Sequence, residues 1–275
     1  MITQTQISAY ERCKRFYYLK YVSRLVWPVE VTDRRQIRQG EDFHLLIRQL
    51  LMGFPRSSLL VPADSENLSG WLDVFQREDP IGKPDMIFPE REVTVNYADV
   101  LWLGKFDALA VYDGEIRIFD WKTSGRKPDA AHYLSSPQTR LYRFLAKTCA
   151  ARLLGASQHG IPAENIEMVY WFPEYPEETI RLPYSEDEYA RDMTWLRTLA
   201  REMCAVNEAD FPRTEKTRRC EFCDYRTYCF PTAALLPVED EIQRSDEELI
   251  PDDVFQAEFF LPDLPSDSDR EETNF

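Results

Sequence analysis

Between residues 100 and 124 the chain reads VLWLGKFDALAVYDGEIRIFDWKTS, two runs rich in Val, Ile, Leu and aromatic residues on either side of Asp113-Gly114. An Asp-Gly pair between such runs signals a two-residue hairpin, because the turn needs positive φ at both central positions. With these residues as the turn, the pairing is fixed: Tyr112 faces Glu115, and Asp107 faces Asp120. Two carboxylates then lie across one antiparallel ladder with Cβ atoms about 4.5–5.5 Å apart. Lys122 follows Asp120 by two residues and projects from the same face. Like charges so opposed destabilise a sheet unless something compensates, and a divalent cation does. A solvated strand face is the ordinary reading of a single Asp, but here the opposed acid is set by the turn. A slip of one residue would send Asp107 to the other face.

This arrangement suits phosphodiester hydrolysis. Carboxylates hold Mg²⁺ or Mn²⁺ through oxygen. The bound ion neutralises phosphate charge and acidifies water. A neighbouring Lys can orient that water and stabilise the transition state.

The surrounding elements predict an α/β (α+β) domain with a mixed central sheet flanked by helices. Ser8 to Glu11 fits a capping box leading into a basic, aromatic helix that carries Cys13 in its first turns. A second helix is expected over about 35–52, with a short one around 68–76. Strands are expected at 91–100, on both arms of the hairpin, and at IEMVYWF and TIRLPY. Ser136-Pro137 reads as the cap and first residue of a helix, and Ser185 to Glu188 as a further capping box.

Charge needs to be read by segment. The chain of 275 residues carries a formal net charge of −15, which taken whole argues against a polyanionic partner. Residues 236–275 hold 14 acids and two Arg, leaving 34 acids against 31 bases in the first 235. We therefore expect a folded, nearly neutral domain over 1–235 and a flexible acidic tail over 236–275. The tail reads most simply as solubilising, although DDVFQAEFFLPDL sets aromatics among acids as partner-binding or autoinhibitory segments do. No run approaches a membrane span, the N-terminus has no charged-then-apolar leader, and no GxxxxGK or GxGxxG occurs. A cytoplasmic protein with no membrane contact is expected, neither a P-loop ATPase nor a dinucleotide-binding enzyme.

Six cysteines stand at 13, 149, 204, 220, 223 and 229. In a reducing compartment the close trio Cys220, Cys223 and Cys229 reads as metal ligation. A closed site needs a fourth thiolate. Cys149 falls in an apolar helix and reads as core, Cys204 lies at a helix end, and Cys13 lies far upstream. Spacing alone does not choose among them.

The order of these motifs resembles the PD-(D/E)XK nuclease superfamily. More narrowly it is similar to RecB-type nuclease domains, which include the AddB nuclease and CRISPR adaptation nucleases. GKFDALAVYDGEIRIFDWKTS followed by PQTRLYRF carries the likeness, which covers most of residues 5–230. It implies a restriction-endonuclease-like core in which Asp107 and Asp120, with His44 from a Gly40-x-x-x-His element, hold the metal. Lys122 then serves the attacking water, and Gln138 and Tyr142, four apart on one helix face, assist. On its own His44 would read as a core histidine. Glu92 offers a weaker additional acid. The resemblance also selects Cys13 as partner of Cys220, Cys223 and Cys229 in a structural [4Fe–4S] cluster, with Cys₄ zinc as the alternative. Such a staple would close a loop of over 200 residues and stabilise the fold by an amount on the order of a few kcal/mol.

Arg12, Lys14, Arg15 and Lys20 would join Arg213, Lys216, Arg218, Arg219 and Arg226 in one patch. Tyr17, Tyr18, Phe222, Tyr225 and Tyr228 interleave with them, as single-stranded DNA binding uses cations and rings. A rim of solvated charges with aromatics packing the cluster is the equal alternative. The resemblance favours an exonuclease acting on single strands or DNA ends in repair or recombination. A helicase would then be a partner; in the CRISPR adaptation alternative the partner is an integrase. A non-catalytic DNA-binding scaffold of the same fold is the remaining alternative.

Overall fold

In a computed structural model the chain is described over residues 1–25, 34–62, 65, 67–123, 125, 127–153, 161–221 and 223–231. Phe222 and the acidic tail lie outside the described residues. The strands are β1 (Ile2–Thr3), β2 (Met86–Tyr97), β3 (Val100–Tyr112), β4 (Glu115–Trp121), β5 (Ile166–Trp171) and β6 (Ile180–Pro183). The helices that matter here are α1 (Gln4–Arg12), α2 (Lys14–Tyr17), α3 (Arg34–Leu51), α4 (Leu68–Glu78), α5 (Ala130–Ser135), α6 (Pro137–Leu153) and α7 (Glu186–Met203). Two short turns, α8 (Arg218–Glu221) and α9 (Arg226–Cys229), follow.

The sheet is mixed, in the order β1-β3-β4-β5-β6 with β2 also on β3. β1 runs parallel to β3 and β4 parallel to β5, while the other pairs are antiparallel. One face packs α6 and α7 through Leu141, Phe144, Leu145, Leu196 and Leu199. The other packs α3 and α4 through Phe43, Ile47, Leu68, Leu72 and Phe75. Among the described residues no helix is long and apolar enough to cross a membrane.

The hairpin register follows from its turn. Asp113 and Gly114 take φ of 45° and 86°, and Tyr112 pairs with Glu115 through to Ala108 with Phe119. A second two-residue turn, Ala98-Asp99 at φ 53° and 62°, joins β2 to β3. Its Ala has no intrinsic preference for that conformation, so the sequence does not announce it.

β2 lines β3 from end to end, so β1 and β4 share the opposite flank: β1 at Trp102 and Leu103, β4 from Ala108 onward. Gly104 to Asp107 face the gap between them. The alternation of side chains changes phase here. Trp102 and Phe106 face α6, but beyond Asp107 it is Leu109 and Val111 that do so, while Ala108 and Ala110 face α3. Across the ladder Glu90 takes φ 50° at the corresponding point of β2.

The N-terminal segment differs from expectation. α1 starts at Gln4, not after Ser8, because Thr3 and Gln6 form a capping box of their own. Cys13 is not inside a helix. Its extended backbone (φ −164°, ψ 117°) breaks the chain between α1 and α2. α5 and β1 are further elements that the sequence reading lacks.

Candidate active site

Asp107 stands where β3 and β4 part. Past Ala108–Phe119 the ladder lacks further pairs, and the Asp107 Oδ2 accepts the Trp121 N–H at 2.8 Å in place of a strand carbonyl. Its Oδ1 lies 3.1 Å from His44 Nδ1 on α3. Gly40, one turn before His44, makes that approach feasible: a Cβ there would lie 3.0 Å from Thr123 Oγ1. Burial opposes the charged form of His44, but the Asp107 carboxylate, together with those of Asp120 and Glu90 behind it, outweighs it and raises the imidazole pKa.

Asp120 points to the α6 face and is 1% exposed, as is Lys122. Their contact is 3.0 Å between Nζ and Oδ2. Gln138, at the start of α6, bridges them. Its amide nitrogen donates to Asp120 Oδ1 at 2.6 Å, and its oxygen accepts from Lys122 Nζ at 3.0 Å. An amide matches this pair because it offers a donor to the anion and an acceptor to the cation. Ser136 caps α6 by accepting the Thr139 N–H, and Thr139 Oγ1 meets the Tyr170 hydroxyl at 2.8 Å behind Gln138. Tyr142, one turn on, stacks edge-on against Phe106 at 4.9 Å, and burial followed by the charges of Asp120 and Asp107 raises its pKa.

Burial pushes the Asp120 carboxyl up to about 7, with Lys122 opposing and Asp107 reinforcing the shift. Its Oδ2 is buried against the Lys122 ammonium. Among the described residues His44, Glu90 and Asp107 form a possible ligand group, whose candidate ligand atoms lie within 4.8 Å of one another. Asp120 stands beside this group, not in it. Glu90 escapes the sequence reading, which offers Glu92; the only local sign is that Glu90 lies between Pro89 and Arg91, whose partners Ala108 and Phe106 flank Asp107, in a β2–β3 ladder that nothing in the turn announces. Glu92 itself sits opposite Lys105.

The four cysteines converge from both chain ends. Cys13, Cys220, Cys223 and Cys229 line one small cavity with Phe16, Leu19, Arg213, Tyr225, Arg226 and Phe230. Arg219 Nη1 donates to the Arg12 carbonyl at 3.2 Å and the Tyr225 hydroxyl to the Leu25 carbonyl at 2.7 Å, so protein contacts already join the ends. All six cysteines are free thiols; Cys149 is buried, and Cys204 is exposed. An all-thiolate donor set of this kind suits zinc or an iron–sulfur cluster alike.

Of the patch residues, Lys14 pairs with Glu202, Arg15 with Glu208, and Arg213 with the Cys229 carbonyl. Tyr17 and Tyr225 are buried, whereas Lys216, Arg218, Arg226 and Tyr228 face solvent. Both readings of the patch therefore have residues behind them.

A mixed sheet with helices on both faces, and an Asp/Asp/Lys set at the fork of two strands, define a nuclease-type core. The chain belongs to the PD-(D/E)XK nuclease superfamily, whose family model matches residues 1–230. Among solved structures it is similar to a candidate exonuclease from Eubacterium rectale, at 11% identity and TM-score 0.49, over 88% of this chain and 90% of that one. SSO0001 is similar at 16% identity and TM-score 0.35, over 86% and 85%. No curated protein matches the sequence.

Proposed function

We propose that this protein is a divalent-metal-dependent deoxyribonuclease of the RecB type, an exonuclease acting on single strands or DNA ends in repair or recombination. The observation that carries the reading is the buried Asp120–Gln138–Lys122 bridge beside His44, Glu90 and Asp107. Asp120 and Lys122 are in direct contact, and the Gln138 amide, donating to one and accepting from the other, holds both in place.

Asp107, His44 and Glu90, with Asp120 alongside, would hold Mg²⁺ or Mn²⁺; a histidine among carboxylates favours Mn²⁺ over an all-oxygen site. The ion supplies phosphate charge neutralisation and a more acidic water. Lys122 orients the water that attacks phosphorus and stabilises the charge that builds there. Gln138 keeps Lys122 aimed, and Tyr142 fills the wall behind Phe106. Residues 1–235 form the nuclease domain in this reading, with 236–275 as its acidic tail. Cys13, Cys220, Cys223 and Cys229 would hold a structural [4Fe–4S] cluster.

The test is anaerobic purification followed by cleavage of linear and circular single strands and of duplex DNA. The proposal expects a brown protein with broad visible absorbance that degrades linear single strands in Mn²⁺ and spares circles. Equal attack on circles would overturn the exonuclease assignment, and a colourless, zinc-containing preparation would overturn the cluster.

A further inference from the structure

Glu90 does not behave as an ordinary strand residue. It lies in the interior of a 12-residue strand yet holds φ at 50°, a conformation that disfavours any residue with a Cβ. Such strain persists only where the surroundings impose it. Its effect is to take Glu90 out of the β2 alternation at the row where Asp107 leaves that of β3. The carboxylate then joins His44 and Asp107, with ligand atoms within 4.8 Å.

Lys105 makes the complementary departure. Its direct cross-strand partner is Glu92. Ordinary pairing on a sheet would join those two. Instead the Lys105 ammonium forms an ion pair with Glu90. Lys105 lies two residues before Asp107, in the gap between β1 and β4, and its side chain is 39% exposed against 13% for Glu90. The cation therefore reaches solvent at the mouth of the site while the acid stays inside.

We infer that Glu90 and Lys105 are a charge-exchange pair, an inference that rests on the nuclease reading. Before a cation arrives, Lys105 neutralises Glu90 and offsets the repulsion between Glu90 and Asp107. When Glu90 turns to a divalent cation, Lys105 loses that partner beside a site about to receive a polyanion, and it takes a phosphate of the DNA strand. One lysine thus serves the acids first and the substrate second. Metal uptake and DNA uptake are coupled through it.

The exchange has a sign that a plain surface ion pair lacks. Removing Lys105 should strengthen cation binding, because its positive charge competes for Glu90, and should weaken DNA binding. Mn²⁺ titration calorimetry on the intact, cluster-loaded protein reads the first, and oligonucleotide anisotropy in non-cleaving Ca²⁺ reads the second. E90Q should weaken Mn²⁺ binding about tenfold or more. K105Q should tighten it about threefold and weaken DNA binding about fivefold, and K105R should keep wild-type values for both. Unchanged or weaker Mn²⁺ affinity in K105Q, or unchanged affinity in E90Q, overturns the exchange. E90D serves in place of E90Q should the latter misfold, and the same loss is expected. D107N separates the two levels. Wild-type Mn²⁺ binding abolished by D107N but indifferent to E90Q refutes the exchange alone. No Mn²⁺ binding by the wild type refutes the nuclease reading with it.

Discussion

Gly104 is where the fold and the site meet, and replacing it by Ala has a calculable consequence. A Cβ at this position would lie 2.6 Å from Leu145 Cδ1 and 3.2 Å from the Tyr142 ring, both on α6. Comfortable carbon contacts lie at about 3.5–4.0 Å, so something must retreat by about 1 Å. Leu145 is fully buried in the core cluster, so its displacement passes to its neighbours and to α6. Overpacking of this kind costs about 1–3 kcal/mol. For a domain of this size that is roughly 2–12 °C of melting temperature. Activity should suffer more than stability. Gln138 rides on the same helix, and lengthening its 2.6 Å bond to Asp120 by about 1 Å would break it. Gly70→Ala on α4 is the control, since a Cβ there meets nothing within 4 Å. Removing glycine's backbone freedom from the first turn of this helix should stabilise by up to about 0.5–1 kcal/mol. Thermal melts of both variants, with Mn²⁺-dependent cleavage rates, decide the matter. Gly104→Ala with wild-type melting and wild-type cleavage would refute the close-approach argument.

Other outcomes follow from the same geometry. Gly40→Ala would press on Thr123 Oγ1 at 3.0 Å and shift α3, so Mn²⁺ affinity should fall while melting changes by less than for Gly104→Ala. Gln138→Ala strips a partner from buried Asp120 and Lys122, costing about 1–3 kcal/mol in stability by melting and lowering single-turnover cleavage by more than tenfold. Glu202 is held below its usual 4.5 by hydrogen bonds from Lys14 and Tyr10. Its folded pKa is depressed, so the stability it gives is present above 4.5 and lost as pH falls through the lower folded value. Glu202→Gln should therefore melt lower at neutral pH and show less loss on acidification below 4.5, measured by melts across pH.

The hairpin was legible because Asp-Gly fixes a register and every residue along it inherits a face. That reasoning holds through Ala108–Phe119 and then meets a feature no local pattern encodes, the phase change at Asp107. The sequence thus places Asp107 and Asp120 side by side but does not say that one turns to α3 and the other to α6. Glu90 was hidden for the same reason: its role depends on a second register, set by the Ala98-Asp99 turn, whose Ala carries no turn signal. Helices with strong caps are readable, as Ser136 and Ser185 show, whereas at the N-terminus Ser8 offers a box that competes with the one Thr3 forms. The cysteine trio is plain from spacing; that Cys13, 207 positions upstream of Cys220, lines the same cavity is a tertiary fact.

The account stands on Asp120 and Lys122 acting in a metal-dependent cleavage. Single-turnover degradation of an end-labelled linear single strand, with Mn²⁺ and then with excess EDTA, tests it for the wild type, Asp120→Ala and Lys122→Ala. The wild type should cleave with Mn²⁺ and stop with EDTA, and each variant should lose at least about a hundredfold in rate. A wild type inert in both Mn²⁺ and Mg²⁺, or an Asp120→Ala variant cutting at the wild-type rate, would contradict it.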